Sequence, residues 1–272
     1  MQPKKILVDL TSVFQAAQAY VMLSRVQTLD QLFILGEVPR NKLYADAKAL
    51  KEVERLEGVS VNQNPSTWAN VDEKAVKVCF LNVQSIKNKF SWIECDKSLG
   101  SASLVFLCET WLNESDTNLS LPGFTTSLNN VGRGHGSATF YKNFTLELDI
   151  HENRINITKL TSPTLDIIGV YRSSDGDLTV LINMLESVIN FKKNTMVGGD
   201  FNLDIFRNKD NSLTTYLVSK GFSQIVNKST HIQGGLIDHC YVKSVDGSTY
   251  EIEVLPKVYT DHDAICVSYF QK

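Results

Sequence analysis

The chain has 272 residues, 43% of them apolar and 21% charged, a composition close to the globular average that excludes low-complexity disorder and collagen-like structure. Its 27 basic and 30 acidic residues leave a net charge of −3. That excludes nucleic-acid binding by bulk positive charge, but not a nucleic-acid enzyme with a local basic rim.

Residues 1–57 read as mostly helical. "VFQAAQAYVMLSRV" sets Val13, Ala16, Ala17, Tyr20, Val21 and Ser24 at helical spacing, and "NKLYADAKALKEVERLE" follows as a second amphipathic helix. Residues 58–73, "GVSVNQNPSTWANVDE", lack periodicity and read as a linker. From Lys74 onward strands and helices alternate. "KVCFLNV" is a strand, "SIKNKFSWIECDKSL" a helix and "ASLVFLCE" a buried strand. "GSATFYK", "FTLELDI", "INITKL" and "LDIIGVYR" are four strands in a row. "LTVLINMLESVINF" is a helix, "NTMVGGD" a strand ending on two glycines, and "SLTTYLVSKGF" a helix stopped by Gly221. "LIDHCYV", "EIEVLP" and "AICVSYF" close the chain as strands.

Strand–helix–strand units mixed with consecutive strands predict a four-layered α/β sandwich. Two mixed β-sheets pack face to face with helices outside, and a short helical appendage precedes them. No apolar run reaches the roughly 18 residues a membrane span needs. Five cysteines, without a C-x-x-C pair, read as small hydrophobes in a reducing compartment.

Polar residues collect just past the ends of the apolar strands, where a rigid scaffold presents chemistry. Asn82 and Gln84 follow "VCFL", Glu109 follows "LVFLC", Tyr171 and Arg172 follow "DIIGV", and Asp200 and Asn202 follow "TMVGG". Asp238 lies in "LIDHCYV"; Asp261 and His262 precede "AICVSYF". Singly, each carboxylate reads as a cap or a solvated turn residue, and a lone His as a structural one. Six such clusters in one domain point to phosphodiester hydrolysis. That reaction needs a divalent cation, a base for water, and donors for the developing charge. Glu109 and Asp261 are hard oxygen ligands suited to Mg²⁺ or Mn²⁺. Asp200 suits water activation, Asn202 and His262 suit phosphate contact, and Asp238 suits the orientation of His262.

"FLNVQS", "LVFLCETWL", "GVYRSS", "VGGDFN", "LIDHCYV" and "YTDHDAI" have the order and spacing of the endonuclease/exonuclease/phosphatase superfamily, which residues 74–270 therefore resemble. "CETWLNES" is similar to the endonuclease domains of LINE-type retroelements. The resemblance implies that Asn82 orients the water-activating group, Glu109 binds metal, Tyr171 contacts the scissile phosphate and Asp200 activates water. It further implies that Asn202 stabilises the transition state, Asp238 pairs with His262, Asp261 assists the metal and His262 contacts the phosphate. Many members carry Asp at the position of Gln84, so Gln84 is a doubtful ligand. Lys87, Lys89, Arg133 and Arg172 are the expected DNA contacts.

"DLTSVFQAAQAYVMLSRVQTLDQLFILG" with "KLYADAKALKEVERL" resembles the C-terminal end of a superfamily-one helicase, with Arg25 at the position of the arginine that meets ATP. No phosphate-binding loop accompanies it, so Arg25 is expected to be idle. A helicase ending joined to such an endonuclease is similar to Helitron-like transposons of the helentron type. The implied activity is Mg²⁺-dependent DNA cleavage by a monomer, inside the cell and in the nucleus, with DNA and no membrane as partner. The alternatives are a weakly catalytic DNA-binding transposon remnant and a phosphatase or phosphodiesterase on the same scaffold.

Overall fold

The computed structural model describes residues 6–11, 18–23, 31–36, 47–48, 50–51, 68, 74–116 and 118–272. The chain divides into two compact units, residues 1–64 and 65–272. Among the described residues, no helix is long and apolar enough to cross a membrane.

In the first unit, β1 (Ile6–Asp9) and β2 (Leu32–Leu35) form a parallel pair in which Ile6 faces Leu32, with α1 (Gln18–Leu23) between them in sequence. Val8, Leu10 and Ala19 are the buried apolar residues of this unit among the described residues. The expected helical appendage is therefore corrected to one that holds strands. "ILVD" and "LFIL" are four-residue apolar runs, too short for periodicity to separate strand from helix. Arg25 and most of the second expected helix lie outside the described residues.

The second unit carries two six-stranded sheets. The first has the order β13-β14-β3-β4-β6-β5. It is built from β3 (Val76–Asn82), β4 (Leu104–Cys108), β5 (Thr125–Asn129), β6 (Ser137–Tyr141), β13 (Thr249–Leu255) and β14 (Ala264–Phe270). The second has the order β11-β12-β10-β9-β8-β7. It comprises β7 (Thr145–Glu152), β8 (Ile155–Thr161), β9 (Leu165–Arg172), β10 (Asn194–Asp200), β11 (Ser223–Gln224) and β12 (Asp238–Lys243). Both are mixed: β3 pairs parallel with β4 and antiparallel with β14, and β10 pairs parallel with β9 and antiparallel with β12. The four strands expected in a row are present, but the first, β6, belongs to the opposite sheet from β7, β8 and β9.

The period of two along each strand sorts side chains into layers. Val78 and Phe80 of β3, Ile167 of β9, Met196 of β10 and Ile265, Val267 and Tyr269 of β14 fill the core between the sheets. Cys79, Leu81 and Cys266 face the other way, under Ile93 of α2 (Phe90–Cys95) and Leu99 of α3 (Lys97–Gly100). Ile168, Val170 and Val197 face outward under Leu181 and Leu185 of α4 (Leu178–Val188) and Leu213 and Leu217 of α5 (Ser212–Ser219). The result is the expected order of helix, sheet, sheet, helix.

Two glycines let the sheets approach. A Cβ on Gly198 would lie 2.5 Å from the Phe80 ring, and one on Gly169 would lie 2.3 Å from the Phe106 ring. The helix expected over "SIKNKFSWIECDKSL" is two short ones. Asp96 adopts an extended ψ of 103° and its carboxylate accepts from the Ser98 and Leu99 N–H groups, so it ends α2 and caps α3.

Candidate active site

The sheet registers bring the polar strand ends together. Asp200 ends β10 beside Tyr171 of β9 and Asp238 of β12, while Asn82 ends β3 beside Cys108 of β4, immediately before Glu109. Asp261 and His262 lead into β14, the other neighbour of β3. Six strands from two facing sheets therefore deliver their polar ends to one edge of the sandwich.

The sequence "VGGD" is explained by two contacts. Gly198 makes room for Phe80, as above. Gly199 has φ of +135°, and a Cβ there would lie 2.0 Å from the Val170 carbonyl oxygen. Only glycine fits that conformation and approach, and it lands Asp200 in the site at 1% exposure.

Asn82 is fully buried and joins the sheets. Its Nδ2 group donates one proton to Glu109 Oε1 at 2.9 Å and the other to Asp200 Oδ2 at 2.8 Å. Its Oδ1 accepts from the Gln84 N–H at 3.0 Å. Glu109 Oε1 also faces the Tyr171 hydroxyl at 3.2 Å, and Oε2 accepts from the Trp111 indole N–H at 3.3 Å. The Tyr171 proton is shared with the Gly134 carbonyl at 2.9 Å, and burial beside Glu109 pushes the phenol far above its ordinary range. Tyr171 is thus a neutral donor at any working pH.

Asp200 Oδ1 accepts from the Asn202 N–H at 2.8 Å. Burial and the adjacent Asp238 charge push the Asp200 carboxyl upward, against the pull of His262. Asp200, Asp238 and His262 have ligating atoms within 4.8 Å of one another. His262 Nδ1–H donates to Asp238 Oδ2 at 2.8 Å, and its Nε2 is 3.8 Å from Asp261 Oδ1. Burial alone would discharge His262. Asp238, Asp200 and Asp261 outweigh it and raise the imidazolium to about 9, so it is a cation at neutral pH.

Asp261 Oδ2 accepts from Gln84 Nε2 at 2.9 Å and faces His231 Nε2 at 3.4 Å. Lys89 donates to the carbonyls of Val83 at 2.7 Å and Gln84 at 2.8 Å, with its ammonium pulled down by burial against the charges of Asp261 and Glu109. The loops hold unusual backbone. Gln84, Ser85, Glu109, Trp111 and Asn202 all have left-handed φ, between 41° and 75°. Such strain collects where surrounding contacts over-determine a functional side chain.

Asn82, Gln84, Glu109, Tyr171, Asp200, Asn202, Asp238, Asp261 and His262 therefore share one connected cluster. One of the expected roles changes. Arg172 is not a DNA contact. It is 4% exposed, and its guanidinium donates to the carbonyls of Phe201 at 2.7 Å, Gly176 at 2.6 Å and Asn202 at 2.9 Å. It ties the β9 and β10 loops together. Asn202 places its amide protons on the Arg172 carbonyl at 2.9 Å and, weakly, on Asp200 at 3.4 Å, so it braces the Asp200 turn. Lys87 pairs on the surface with Asp116 at 2.7 Å, and the Arg133 guanidinium lies 5.7 Å from the centre of the Trp111 ring.

His231 and Trp111 touch the cluster and were not singled out in the sequence, while Lys89 was expected beside Lys87 as a DNA contact and instead donates to backbone carbonyls. They lie in aperiodic loops, and only the folded backbone shows where their donors point.

The cluster fits a divalent cation. Glu109, Asp200, Asp238 and Asp261 face one imidazolium and one half-buried ammonium, an excess of negative charge. Asp261 Oδ1 is buried without a hydrogen bond. Among the described residues, two sets of ligand atoms converge, those of Asp200, Asp238 and His262 and those of His231, Asp261 and His262. The carboxylates among them are hard oxygen donors of the kind Mg²⁺ or Mn²⁺ takes.

No family model matches the sequence, and no curated protein matches it. Solved structures do. A 3′–5′ exonuclease from Neisseria meningitidis is 14% identical, with 72% of this chain and 100% of that one covered at a TM-score of 0.58. An AP endonuclease from Archaeoglobus fulgidus is 14% identical, covering 72% and 100%, at 0.55. The endonuclease domain of TRAS1, a telomere-specific non-LTR retrotransposon, is 14% identical, covering 72% and 98%, at 0.52. The fold is that of the endonuclease/exonuclease/phosphatase superfamily. At these identities the likeness is one of fold, and the chemistry rests on the cluster above.

Proposed function

We propose that the chain is a divalent-metal-dependent DNA endonuclease that hydrolyses a phosphodiester bond and leaves a 3′-hydroxyl. The observation that carries this reading is the convergence of two hydrogen-bonded groups, Asn82 bridging Glu109 and Asp200 and Asp238 holding a cationic His262, with ligating atoms of Asp200, Asp238 and His262 within 4.8 Å of one another. The fold it shares with DNA-processing neighbours supports DNA as the substrate class.

Glu109 and Asp261 would hold the cation. When bound, it would neutralise charge on the phosphate and the departing oxygen. The chain's own residues do the rest. Asp200 is the group that takes a proton from water, held in orientation by the Asn82 amide and the Asn202 N–H. His262, kept charged and aimed by Asp238, donates to a non-bridging phosphate oxygen, and the Tyr171 hydroxyl would become a second donor by turning its proton from the Gly134 carbonyl. Water adds to phosphorus as its proton passes to Asp200, the bond to the 3′-oxygen breaks, and the departing oxygen takes a proton from solvent, so the products are a 3′-hydroxyl and a 5′-phosphate.

The reading of residues 1–57 as a helicase ending, and of the protein as a Helitron-like transposon product acting in the nucleus, is carried by the sequence resemblance.

Supercoiled plasmid supplies the test. Nicking should require Mg²⁺ or Mn²⁺, and Asp200→Asn should lower it by about 10²–10⁴-fold, the usual loss for a general base. Nicking that survives chelation, or survives this substitution, overturns the mechanism.

A further inference from the structure

The carboxylate of Asp261 is held from two sides, and the two holders come from loops far apart in sequence. Gln84 Nε2 is 2.9 Å from Asp261 Oδ2. Its amide must present the N–H there, because the carbonyl oxygen would face a carboxylate. His231 Nε2 is 3.4 Å from the same oxygen. The Gln233 backbone N–H donates to His231 Nδ1 at 3.2 Å, so that nitrogen carries the lone pair and the ring proton sits on Nε2. In this tautomer the Nε2–H edge of His231 lies 3.4 Å from Asp261 Oδ2, a charge–dipole contact rather than a formed hydrogen bond.

The backbone fixes both partners. His231 and His262 form an isolated antiparallel bridge, the Ile232 N–H donates to the Asp261 carbonyl at 2.9 Å, and the Asp263 N–H donates to the Thr230 carbonyl at 2.8 Å. The His231 ring packs edge-on against His262, with centroids 4.8 Å apart at 74°. The Gln84 N–H and the His231 ring edge both lie against Oδ2, the first as a hydrogen bond and the second as an electrostatic contact. The other oxygen, Oδ1, is buried and takes no hydrogen bond, and its charged neighbour is His262 Nε2 at 3.8 Å.

We infer that Gln84 and His231 form an amide–imidazole clamp that fixes Asp261 so that Oδ1 alone faces the cation. Gln84 is then a positioning residue and not a ligand, and His231 is a second positioning residue of the site. The inference builds on the endonuclease reading, because the cation served is that reaction's. A carboxylate at position 84 would set a second negative charge against Asp261 Oδ2. An amide supplies a proton there instead.

Two readouts test the clamp, neither of which is turnover. Mn²⁺ binding to the DNA-free protein is followed through the paramagnetic resonance signal of free Mn²⁺. His231→Phe keeps a ring against His262 and removes the donor. It should weaken Mn²⁺ binding by about 10–100-fold, the usual effect of losing a partner of a metal ligand. His231→Gln restores an N–H donor and should recover most of the affinity. Circular dichroism of both variants confirms the fold. Independently, the imidazole ¹⁵N shifts of the metal-free protein should show His231 protonated on Nε2. Unchanged Mn²⁺ affinity in His231→Phe, an Nδ1-protonated His231, or a wild-type protein that does not bind Mn²⁺ overturns the clamp. Weakened binding in His231→Phe with recovery in His231→Gln supports it whether or not DNA is cut. A wild-type protein that binds Mn²⁺ and leaves DNA intact removes the endonuclease reading alone.

Discussion

His239 follows the site residue Asp238 in β12, but its side chain lies on the other face of the sheet. It is fully buried, stacks on Phe201 with centroids 4.8 Å apart, donates from Nε2 to the Leu203 carbonyl at 2.7 Å and accepts at Nδ1 from the Tyr241 hydroxyl at 3.2 Å. A neutral ring is satisfied there. Burial lowers the imidazolium to about 4, outweighing the Leu203 carbonyl and the Asp238 charge, with Arg172 nearby adding to the fall. Because the unfolded chain protonates near 6.5 and the folded one near 4, the unfolded state binds more protons between those values. The His239 contribution is therefore full above 6.5 and is lost as pH drops toward 4. The raised Asp200 and His262 act in the opposite sense, so this contribution is read as the difference between wild type and the His239→Gln variant. At about 1.4 kcal/mol per unit, the loss by pH 4.5 is roughly 2–3 kcal/mol. Urea midpoints at pH 7.5 and 4.5 measure it, and His239→Gln should flatten the difference. An equal acid loss in both proteins would remove His239 as the cause. Other residues show which roles a sequence reveals. The convergence of Glu109, Asp200, Asp238 and His262 was legible because each follows or precedes an apolar strand in a fixed order. Arg172 was misread because an arginine at a strand end looks the same whether it faces solvent or three carbonyls. Trp111 was passed over because its role depends on a left-handed backbone at both 109 and 111.

At the level of elements, the strands of the two sheet centres were legible from apolar runs, and the double glycine of β10 was visible as punctuation. Its cause was not, because Phe80 is distant in sequence and meets Gly198 only when the sheets pack. Edge strands β5 and β11 were missed, since "TTSLN" and a two-residue strand carry no alternation. The contact between sheets yields a quantitative expectation. Gly198→Ala places a methyl 2.5 Å from the Phe80 ring, an overpacking that costs about 1–3 kcal/mol. Phe80→Leu alone opens a gap and also destabilises. Together the two should destabilise less than the sum of the singles, with a coupling of about 0.5–3 kcal/mol, because the smaller side chain vacates the space the methyl needs. A denaturation cycle over the four proteins checks this, and strict additivity would mean that the glycine serves another purpose. On the outer face of the first sheet, Asp96 links α3 to the loop before Asp261. Its Oδ2 accepts from Lys257 Nζ at 2.7 Å and from the Tyr259 hydroxyl at 3.0 Å, with Lys257 and Asp96 only 7% and 11% exposed. Removing one partner of a buried pair strands the other, so Asp96→Ala should cost about 3–5 kcal/mol. Thermal or urea unfolding measures the loss, and one under about 1 kcal/mol would show the pair to be well solvated.

On the scale of the whole chain, the question is where the second unit begins. The composition of residues 58–73 reads as linker, yet Trp68 within it is 2% exposed. It packs in the cluster of Cys79, Leu81, Val105, Leu255 and Cys266, and its backbone N–H donates to Glu253 Oε2 on β13 at 3.0 Å. A single tryptophan among Asn, Ser and Pro carries no periodicity, so its partner sheet could not be read from the sequence. Structure instead puts the boundary between units at residues 64 and 65. The two boundaries predict different truncations. A chain of residues 65–272 retains both sheets, all four outer helices and every residue of the cluster around Asp200. It should fold with an unchanged melting profile for that unit and nick plasmid within a few-fold of the full chain. A chain of residues 74–272 lacks the indole and exposes the apolar surface beneath it. The transfer and cavity losses for a buried Trp are about 3–5 kcal/mol, a large share of the 5–15 kcal/mol that holds an ordinary domain together. The shorter chain should therefore melt well below the longer one, and Trp68→Ala in the longer one should reproduce most of the difference. Equal melting of the two truncations would return residues 58–73 to the role of a linker. Loss of folding in residues 65–272 would show that the second unit needs the first.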